Sequence, residues 1–132
     1  MKPIEKARNR AELNLLARRI IGCSFEVAKN LKYGYLEKVY ENAMAYELKK
    51  IGIKAQQQYP IQVHYKEIVA GEYIVDLLVE EKILVELKTT SGIDNAHIAQ
   101  CLNYLTATDL RLGLLINFGE SKVEFKRLVN KF

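Results

Sequence analysis

Residues 73–88 read YIVDLLVEEKILVELK, two apolar segments joined by a short charged segment at residues 80–82. Apolar segments of this length are typical of buried strands, and the segment between them is typical of a hairpin turn. Three ionisable residues interrupt the strands, Asp76 in the first and Glu86 and Lys88 in the second. A charge held partly out of water costs several kcal/mol unless it is paired or bound to a metal. We therefore treat these three residues as candidates for function.

The length of the turn decides whether these residues meet. Side chains alternate along a strand, so Glu86 and Lys88 share a face. If residues 80–82 form a three-residue loop, Asp76 lies directly opposite Glu86, with about 5 Å between the Cβ atoms. A two-residue loop would pair Asp76 with Val85 and separate the carboxylates. Two adjacent carboxylates repel each other, and a hard divalent cation such as Mg²⁺, which takes oxygen ligands, would relieve that repulsion.

The composition is typical of one globular domain. The chain has 132 residues, of which 49% are hydrophobic and only two are proline, so we expect a single domain over residues 1–132. No apolar run approaches the roughly 20 residues of a membrane span, and the N-terminus lacks the apolar core of a signal peptide. We expect a soluble cytoplasmic protein that has no membrane partner. Cys23 and Cys101 lie far apart and predict packed, reduced thiols rather than a metal site.

The positive charge is concentrated near the N-terminus. Residues 1–38 carry a balance of +5, and the remaining residues carry −1. A basic first quarter suits contact with phosphates, although solvation of a helix face explains the same charges equally well. The cations that we consider for attracting a polyanion are Arg18, Arg19, Lys29, Lys32 and Lys38.

Hydrophobic periodicity predicts an α/β fold. We expect a polar arm over residues 1–10, helices over about 11–31, 36–50 and 95–107, and strands over about 59–65, 73–79, 83–88, 111–118 and 123–129. Asp94 is the predicted N-cap of the third helix. The first three strands form a meander, the fourth is buried beside the strand that carries Glu86, and the fifth is an edge strand.

Several motifs resemble one enzyme superfamily. Asp76, a nine-residue spacer and Glu86-Leu87-Lys88 resemble the D…ExK signature of the PD-(D/E)xK phosphodiesterases, although Val75 stands where the superfamily name has Pro. Residues 34–40, GYLEKVY, are similar to the motif that names the GxxExxY family, a small branch of that superfamily. Residues 100–104, QCLNY, resemble the QxxxY helix motif of RecB-like nucleases.

The resemblance covers roughly residues 10–128 and implies an αβββαβ core. This core is a mixed central sheet flanked by helices, here with an extra N-terminal helix. The implied activity is that of a nuclease that uses Mg²⁺ or Mn²⁺ to hydrolyse phosphodiester bonds of nucleic acid, with DNA favoured over RNA. Asp76, Glu86 and the carbonyl of Leu87 would bind the metal. Lys88 would position or deprotonate the attacking water, or neutralise developing charge.

The helices would supply the remaining site residues. Glu37 would orient metal-bound water or act as a third acidic ligand, the alternative being a first-turn acid favoured by the helix dipole. Gln100 would hydrogen-bond near the metal ligands or a substrate phosphate. Tyr104 would support Lys88 or stack on a base, with ordinary helix surface as the alternative. The predicted nucleic-acid contacts are Tyr104, Tyr40, Arg18, Arg19 and Lys38, of which Tyr40 is also predicted to pack in the core with its hydroxyl near the site.

Two other interpretations stay open. The fold could be retained as a non-cleaving module that binds nucleic acid or protein, although the complete set of Asp76, Glu86 and Lys88 argues against this. Alternatively, these three residues could form a structural ion pair in an unrelated α/β domain. Open sheet edges leave room for a homodimer or for a partner protein that supplies specificity.

Overall fold

One mixed sheet carries the residues singled out above. The computed structural model describes residues 3–131, with side chains from residue 9 onward. Its elements are α1 (Pro3–Leu31), α2 (Glu37–Lys50), β1 (Ala55–Tyr65), β2 (Ile68–Val79), β3 (Ile83–Lys88), α3 (Asn95–Thr108), β4 (Leu112–Asn117) and β5 (Glu124–Val129). The strands follow the order β1-β2-β3-β4-β5, and β3 and β4 are parallel while the other pairs are antiparallel. The predicted αβββαβ core with an additional N-terminal helix is confirmed.

The parallel pair β3 and β4 brings the carboxyl ends of two buried strands to the same end of the sheet. Parallel strands need a crossover connection, and α3 provides it. Asp94 caps α3 as predicted, because its Oδ1 accepts a hydrogen bond from the His97 N–H at 2.8 Å. Lys88 and Asn117 are therefore neighbours at the carboxyl ends of their strands, where they form the last pair of the parallel ladder.

The first helix is longer than predicted. It begins at Pro3, so the expectation of a polar arm was wrong for residues 3–10. This segment is rich in Glu, Lys, Arg and Ala, which favour helices, and proline is tolerated in a first helical turn. Residues 1 and 2 lie outside the described part of the chain. No helix within residues 3–131 is long and apolar enough to cross a membrane.

The sheet has an apolar core on each face. The first core lies beneath α1 and α2, and its members include Ile20, Cys23, Tyr40, Met44, Leu87 and Phe118. The second core lies beneath α3, and its members include Ile61, Val75, Leu84, Cys101, Tyr104 and Leu105. Both cysteines are buried and free, which confirms the prediction of packed thiols.

The β2–β3 turn has the longer of the two lengths considered above. Val79 pairs with Ile83, so residues 80–82 form a three-residue loop. Glu80 and Glu81 hold left-handed backbone angles there, with φ of 52° and 57°. The register set by this loop places Asp76 opposite Glu86, as predicted.

The regular alternation of side chains breaks at Asp76. Leu77 packs in the first core and Val75 in the second, although residues two apart in a regular strand share a face. Gln58 lies on β1 between the pairs Gln57–Leu77 and Tyr59–Val75, and its φ of 55° is left-handed. The strand faces therefore reverse at Gln58 and Asp76, which puts Asp76 at the boundary between the two cores.

Candidate active site

Asp76 and Glu86 bind each other's strand. The Asp76 N–H donates to Glu86 Oε1 at 3.0 Å, and the Leu87 N–H donates to Asp76 Oδ2 at 2.7 Å. The backbone ladder between β2 and β3 ends one step earlier, at Leu77–Val85. Two hydrogen bonds between side chains and backbone thus connect β2 and β3 where the backbone pairing stops. They bring the two carboxylates together.

Both carboxyl groups are held in an environment that disfavours negative charge. Glu86 is only 6% exposed, and burial, followed by the nearby Asp76 carboxylate, raises its pKa to about 8. Burial also raises the pKa of Asp76, against the opposing effect of the hydrogen bond from Leu87. Two negative charges at this point therefore call for a positive partner.

Lys88 contacts Gln100, a pairing that was not predicted. Lys88 is half-buried at the end of β3, and its Nζ donates to Gln100 Oε1 over a long 3.5 Å. The Phe118 N–H donates to the Lys88 carbonyl at 2.8 Å and fixes this strand end. Lys88 also lowers the pKa of Glu86 and Asp76, so its ammonium group lies within electrostatic reach of both carboxylates.

Two acids of α2 approach the same site. Burial raises the pKa of Glu37, with Asp76 the next cause, while Lys88 lowers it. Glu41 is 2% exposed and accepts hydrogen bonds from Lys38 at 2.8 Å, from Gln57 at 2.6 Å and from Gln58. Glu41 was not predicted from the sequence. The available signal was its spacing of four from Glu37, which puts both acids on one helix face.

Two further residues that support the site were also not predicted. Gln58 hydrogen-bonds Glu41 and lowers the pKa of Asp76, so it links the two acids. Asn117 is fully buried, its Oδ1 accepts from the Thr90 N–H at 3.0 Å, and its Nδ2 donates to the Thr90 carbonyl at 3.0 Å. A Cβ on Gly119 would lie 2.0 Å from the Thr90 oxygen, so only glycine fits there. Asn117 and Gly119 thus hold the loop that follows Lys88. The sequence signal for Asn117 was its place as the polar residue that ends the apolar run LGLLIN.

The structure corrects two predicted tyrosine contacts. Tyr40 is completely buried, stacks on Phe118 with ring centroids 4.7 Å apart, and donates from its hydroxyl to the Lys32 carbonyl at 2.6 Å. The core role is confirmed, and the expectation that Tyr40 contacts nucleic acid was wrong. Tyr104 is 5% exposed and packs against Tyr73 at 5.5 Å, so base stacking on Tyr104 was wrong for the same reason. Burial, and then Glu86, raises the pKa of Tyr104 to about 12, so this residue adjoins the site.

The predicted cations divide into two groups. Arg19 donates to the Ile51 carbonyl at 3.1 Å, at the C-terminal end of α2, which lies roughly 20 Å along the helix from Glu37. Arg18 is its exposed neighbour on α1. The structure therefore does not bring the two arginines to the site, which corrects their predicted role. Lys38 does lie there, ion-paired with Glu41 at 2.8 Å.

A groove lined by lysines lies at the same end of the sheet. Lys29, Lys32 and Lys122 line a cavity of about 570 Å³ together with Phe25 and Tyr33. No acidic residue lines it within the described part of the chain. We call it the lysine groove. It joins the end of α1 to the β4–β5 turn, which follows the carboxyl end of β4, and phosphate oxygens suit its charge.

The donor set suits a hard divalent cation. Asp76 and Glu86 each have one carboxylate oxygen engaged by a backbone N–H. The N–H and C=O of one strand residue point to the same neighbouring strand, so the Leu87 carbonyl also points toward β2, beyond the last β2–β3 pair. Among residues 9–131, whose side chains the structure describes, no three His, Cys, Asp or Glu side chains converge closely enough to hold a metal ion. Mg²⁺ is commonly held by one or two carboxylates, with waters and substrate phosphates completing its shell, so two carboxylates and a carbonyl fit such an ion.

Comparisons with known proteins concern the fold and the family of the chain. Comparison with curated proteins finds no match. Among solved structures, the one titled "Crystal structure of SSO0001" has a TM-score of 0.55 and 16% sequence identity, covering 72% of this chain and 50% of that chain. This chain thus spans half of that structure, and the likeness concerns the fold. Residues 14–128 match the model of the PD-(D/E)XK nuclease superfamily. The chain therefore belongs to the PD-(D/E)XK nuclease superfamily, whose members are typically nucleases and usually use divalent metal ions.

Proposed function

We propose that the protein is a nuclease that hydrolyses phosphodiester bonds of nucleic acid with Mg²⁺ or Mn²⁺. The observation that carries this proposal is a pair of hydrogen bonds between the two strands. Glu86 accepts from the Asp76 N–H at 3.0 Å, and Asp76 accepts from the Leu87 N–H at 2.7 Å. Lys88 extends from the same strand end toward Gln100. Carboxylates, a carbonyl and an ammonium group are thereby gathered at one point.

We further propose that the chain belongs to the GxxExxY branch, since each named position of that motif has a physical use here. Gly34 has a φ of 115°, an angle that residues with a side chain rarely adopt. The Tyr40 hydroxyl accepts from the Tyr35 N–H at 3.3 Å and donates to the Lys32 carbonyl, so it fixes the turn before α2. Glu37 stands in the first turn of α2, where its charge reaches Asp76 and Lys88.

Asp76, Glu86 and the Leu87 carbonyl would hold the metal, which supplies polarisation of a phosphoryl oxygen and a lowered pKa of bound water. The residues of the chain contribute position and charge. Lys88, oriented by Gln100, would place the attacking water or neutralise developing negative charge. Glu37 would accept a hydrogen bond from that water.

Other residues would position Asp76 and the nucleic acid that is cut. Gln58 hydrogen-bonds both Asp76 and Glu41, so Gln58 acts as a positioning residue that Glu41 holds in place. The lysine groove and Lys38 would contact phosphates on either side of the scissile bond, a contribution that weakens as salt concentration rises.

The test is cleavage of end-labelled single- and double-stranded DNA and RNA with Mg²⁺ or Mn²⁺. We expect wild type to cut at least one of them, and Asp76→Asn and Lys88→Ala to lose on the order of 10²- to 10⁴-fold in rate. Matched controls lie at the opposite end of the strands: Lys82→Ala in the β2–β3 turn and Asp109→Asn after α3. Both controls should cut at the wild-type rate.

A thermal-shift titration with Mn²⁺ separates catalysis from binding. A metal bound only by the folded protein raises the melting temperature, and the rise is larger for tighter binding at a given metal concentration. Asp76→Asn should remove most of that rise. If no substrate is cut and Mn²⁺ stabilises both proteins equally, the nuclease proposal is wrong. Binding of nucleic acid would then mark the fold as a non-cleaving module.

A further inference from the structure

A second groove lies between α3 and the β1–β2 hairpin. Its volume is about 750 Å³, and we call it the α3 groove. Its lining includes Tyr73, His64, Gln100, Asn103, Ala96 and Ala99. The helix contributes residues spaced by three and four, which form one stripe along α3. The alanines of that stripe leave space above the helix.

The lining of the α3 groove is neutral and partly aromatic. No Lys, Arg, Asp or Glu lines it among the described residues, which distinguishes it from the lysine groove. Tyr73 is 48% exposed, and its ring rests against that of Tyr104 with the centroids 5.5 Å apart, so the side chain is held in place while the residue stays partly open. Two side-chain amides, of Gln100 and Asn103, offer both donors and acceptors. A flat aromatic surface beside amide groups suits a nucleobase better than a phosphate.

The α3 groove is continuous with the candidate active site. Gln100 lines the groove and also accepts the hydrogen bond from Lys88 at 3.5 Å. Tyr104 lines the groove as well, and Glu86 raises its pKa. A ligand in the groove would therefore be one side chain away from the carboxylates and Lys88. This places a base next to a phosphate at the metal site.

We propose that the α3 groove binds an unpaired nucleobase next to the phosphate to be cut, and that the substrate is therefore single-stranded there. The inference rests on the proposed nuclease function for the identity of the neighbouring phosphate. A base inside a duplex is stacked and paired on its polar edge, so it enters such a groove only after leaving the stack. The open part of the Tyr73 ring stacks on the base, and the amides of Gln100 and Asn103 hydrogen-bond its edge.

Binding without metal tests the groove independently of cleavage. We would measure fluorescence anisotropy of a labelled single-stranded oligonucleotide and its duplex in EDTA. Tyr73→Ala should lose affinity for the single strand by about tenfold, and Tyr73→Phe should retain it because the ring remains. The matched control is Tyr65→Ala, which removes a tyrosine of the same hairpin that is 61% exposed and outside the groove lining. It should bind as wild type does.

Asn103→Ala guards against a folding defect. Asn103 is an exposed helix residue, so this change preserves the fold, and it should weaken single-strand binding by about threefold through one lost hydrogen bond. Equal affinity of wild type, Tyr73→Ala and Asn103→Ala for the single strand would overturn the proposal. So would a preference for the duplex in wild type.

Cleavage of oligonucleotides that carry one abasic residue supplies a second test. With Mg²⁺ or Mn²⁺, we expect wild type to slow only when the missing base adjoins the cut. Cutting that ignores the abasic position would overturn the groove assignment and leave the nuclease function intact. Binding that depends on Tyr73, without any cleavage, would support the groove assignment and contradict the proposed nuclease function. If Tyr73→Ala changes only the oligomeric state seen by light scattering, the groove holds a second copy of the chain and the proposal is wrong.

Discussion

The two ends of the β2–β3 strand pair serve opposite purposes on a continuous backbone. At the turn end, residues 77–79 pair regularly with residues 83–85, and all six side chains are buried. At the site end, one residue further along each strand, the backbone ladder stops. Asp76 and Glu86 take its place with their own hydrogen bonds to the facing strand.

This difference shows how a small fold can carry buried charge. Apolar burial at the turn end stabilises the pair and fixes the direction of both strands. This packing also holds the strands rigid at the site end, and a metal site needs that rigidity. Burial there raises the pKa of both carboxyl groups. The residues that stabilise the fold and the residues that form the site are thus adjacent on the same strands. Mutations of the two sets should have different effects on stability.

The largest effect should follow from a cavity at the turn end. Leu84 is fully buried in the second core, so we expect Leu84→Ala to lower the free energy of unfolding by about 3 kcal/mol. Urea denaturation measures this loss. The control is Ile74→Ala in β2, where the side chain is 56% exposed and the expected loss is about 0.5 kcal/mol. Similar losses at the two positions would contradict the assignment of stability to the turn end.

A change at the site end should have the opposite sign. Burial raises the pKa of Glu86 from its ordinary 4.5 to about 8 in the folded protein, so between these values the native state binds a proton that the unfolded state has released. Wild-type stability should therefore fall as pH rises through this range and level off above it. Glu86→Gln keeps an oxygen for the Asp76 N–H and cannot ionise. In EDTA its free energy of unfolding should exceed that of wild type at pH 8 and match it near pH 4.

The control for this prediction is an exposed acid on the neighbouring strand β2. Glu72→Gln in β2 changes a solvated side chain, so its effect should be close to zero at both pH values. A Glu86→Gln advantage that does not grow between pH 4 and pH 8 would refute the role of carboxylate burial. Adding Mn²⁺ at pH 8 should stabilise wild type and leave Glu86→Gln nearly unchanged, which would reverse their order.

The sequence predicted the site end because its chemistry stands out there. Asp76, Glu86 and Lys88 are ionisable residues in strands that are otherwise apolar, and their spacing was compatible with a three-residue turn that makes the two carboxylates face each other. The strand order of the sheet and the crossover helix α3 were also predictable from periodicity. These features depend on neighbours along the chain, which a single sequence displays.

The supporting residues were not predictable because burial depends on distant segments. Glu41 belongs to a helix with many polar residues, and only contacts from residues 57 and 58 reveal that it is buried. Tyr40 shares a motif with Glu37, yet Phe118, far along the chain, decides that its ring is inaccessible. Nothing in the residue type of Gln58 indicates a left-handed backbone, because the strand QQQYPIQVHY has glutamine at regular positions too.

The smallest predicted effect concerns that backbone and tests how Asp76 is placed. A residue with a side chain in the left-handed region costs roughly 1 kcal/mol that glycine avoids, so Gln58→Gly should be more stable than Gln58→Ala by about that amount. Both variants lose the hydrogen bond to Glu41, so their difference isolates the backbone. At Gln62, an exposed residue of β1 paired with Glu72 outside the left-handed region, alanine should be the more stable by about 0.5 kcal/mol. Urea denaturation of the four variants measures both signs. An advantage for alanine at both positions would mean that β1 is regular at Gln58. The reversal of strand faces that sets Asp76 between the two cores would then need another cause.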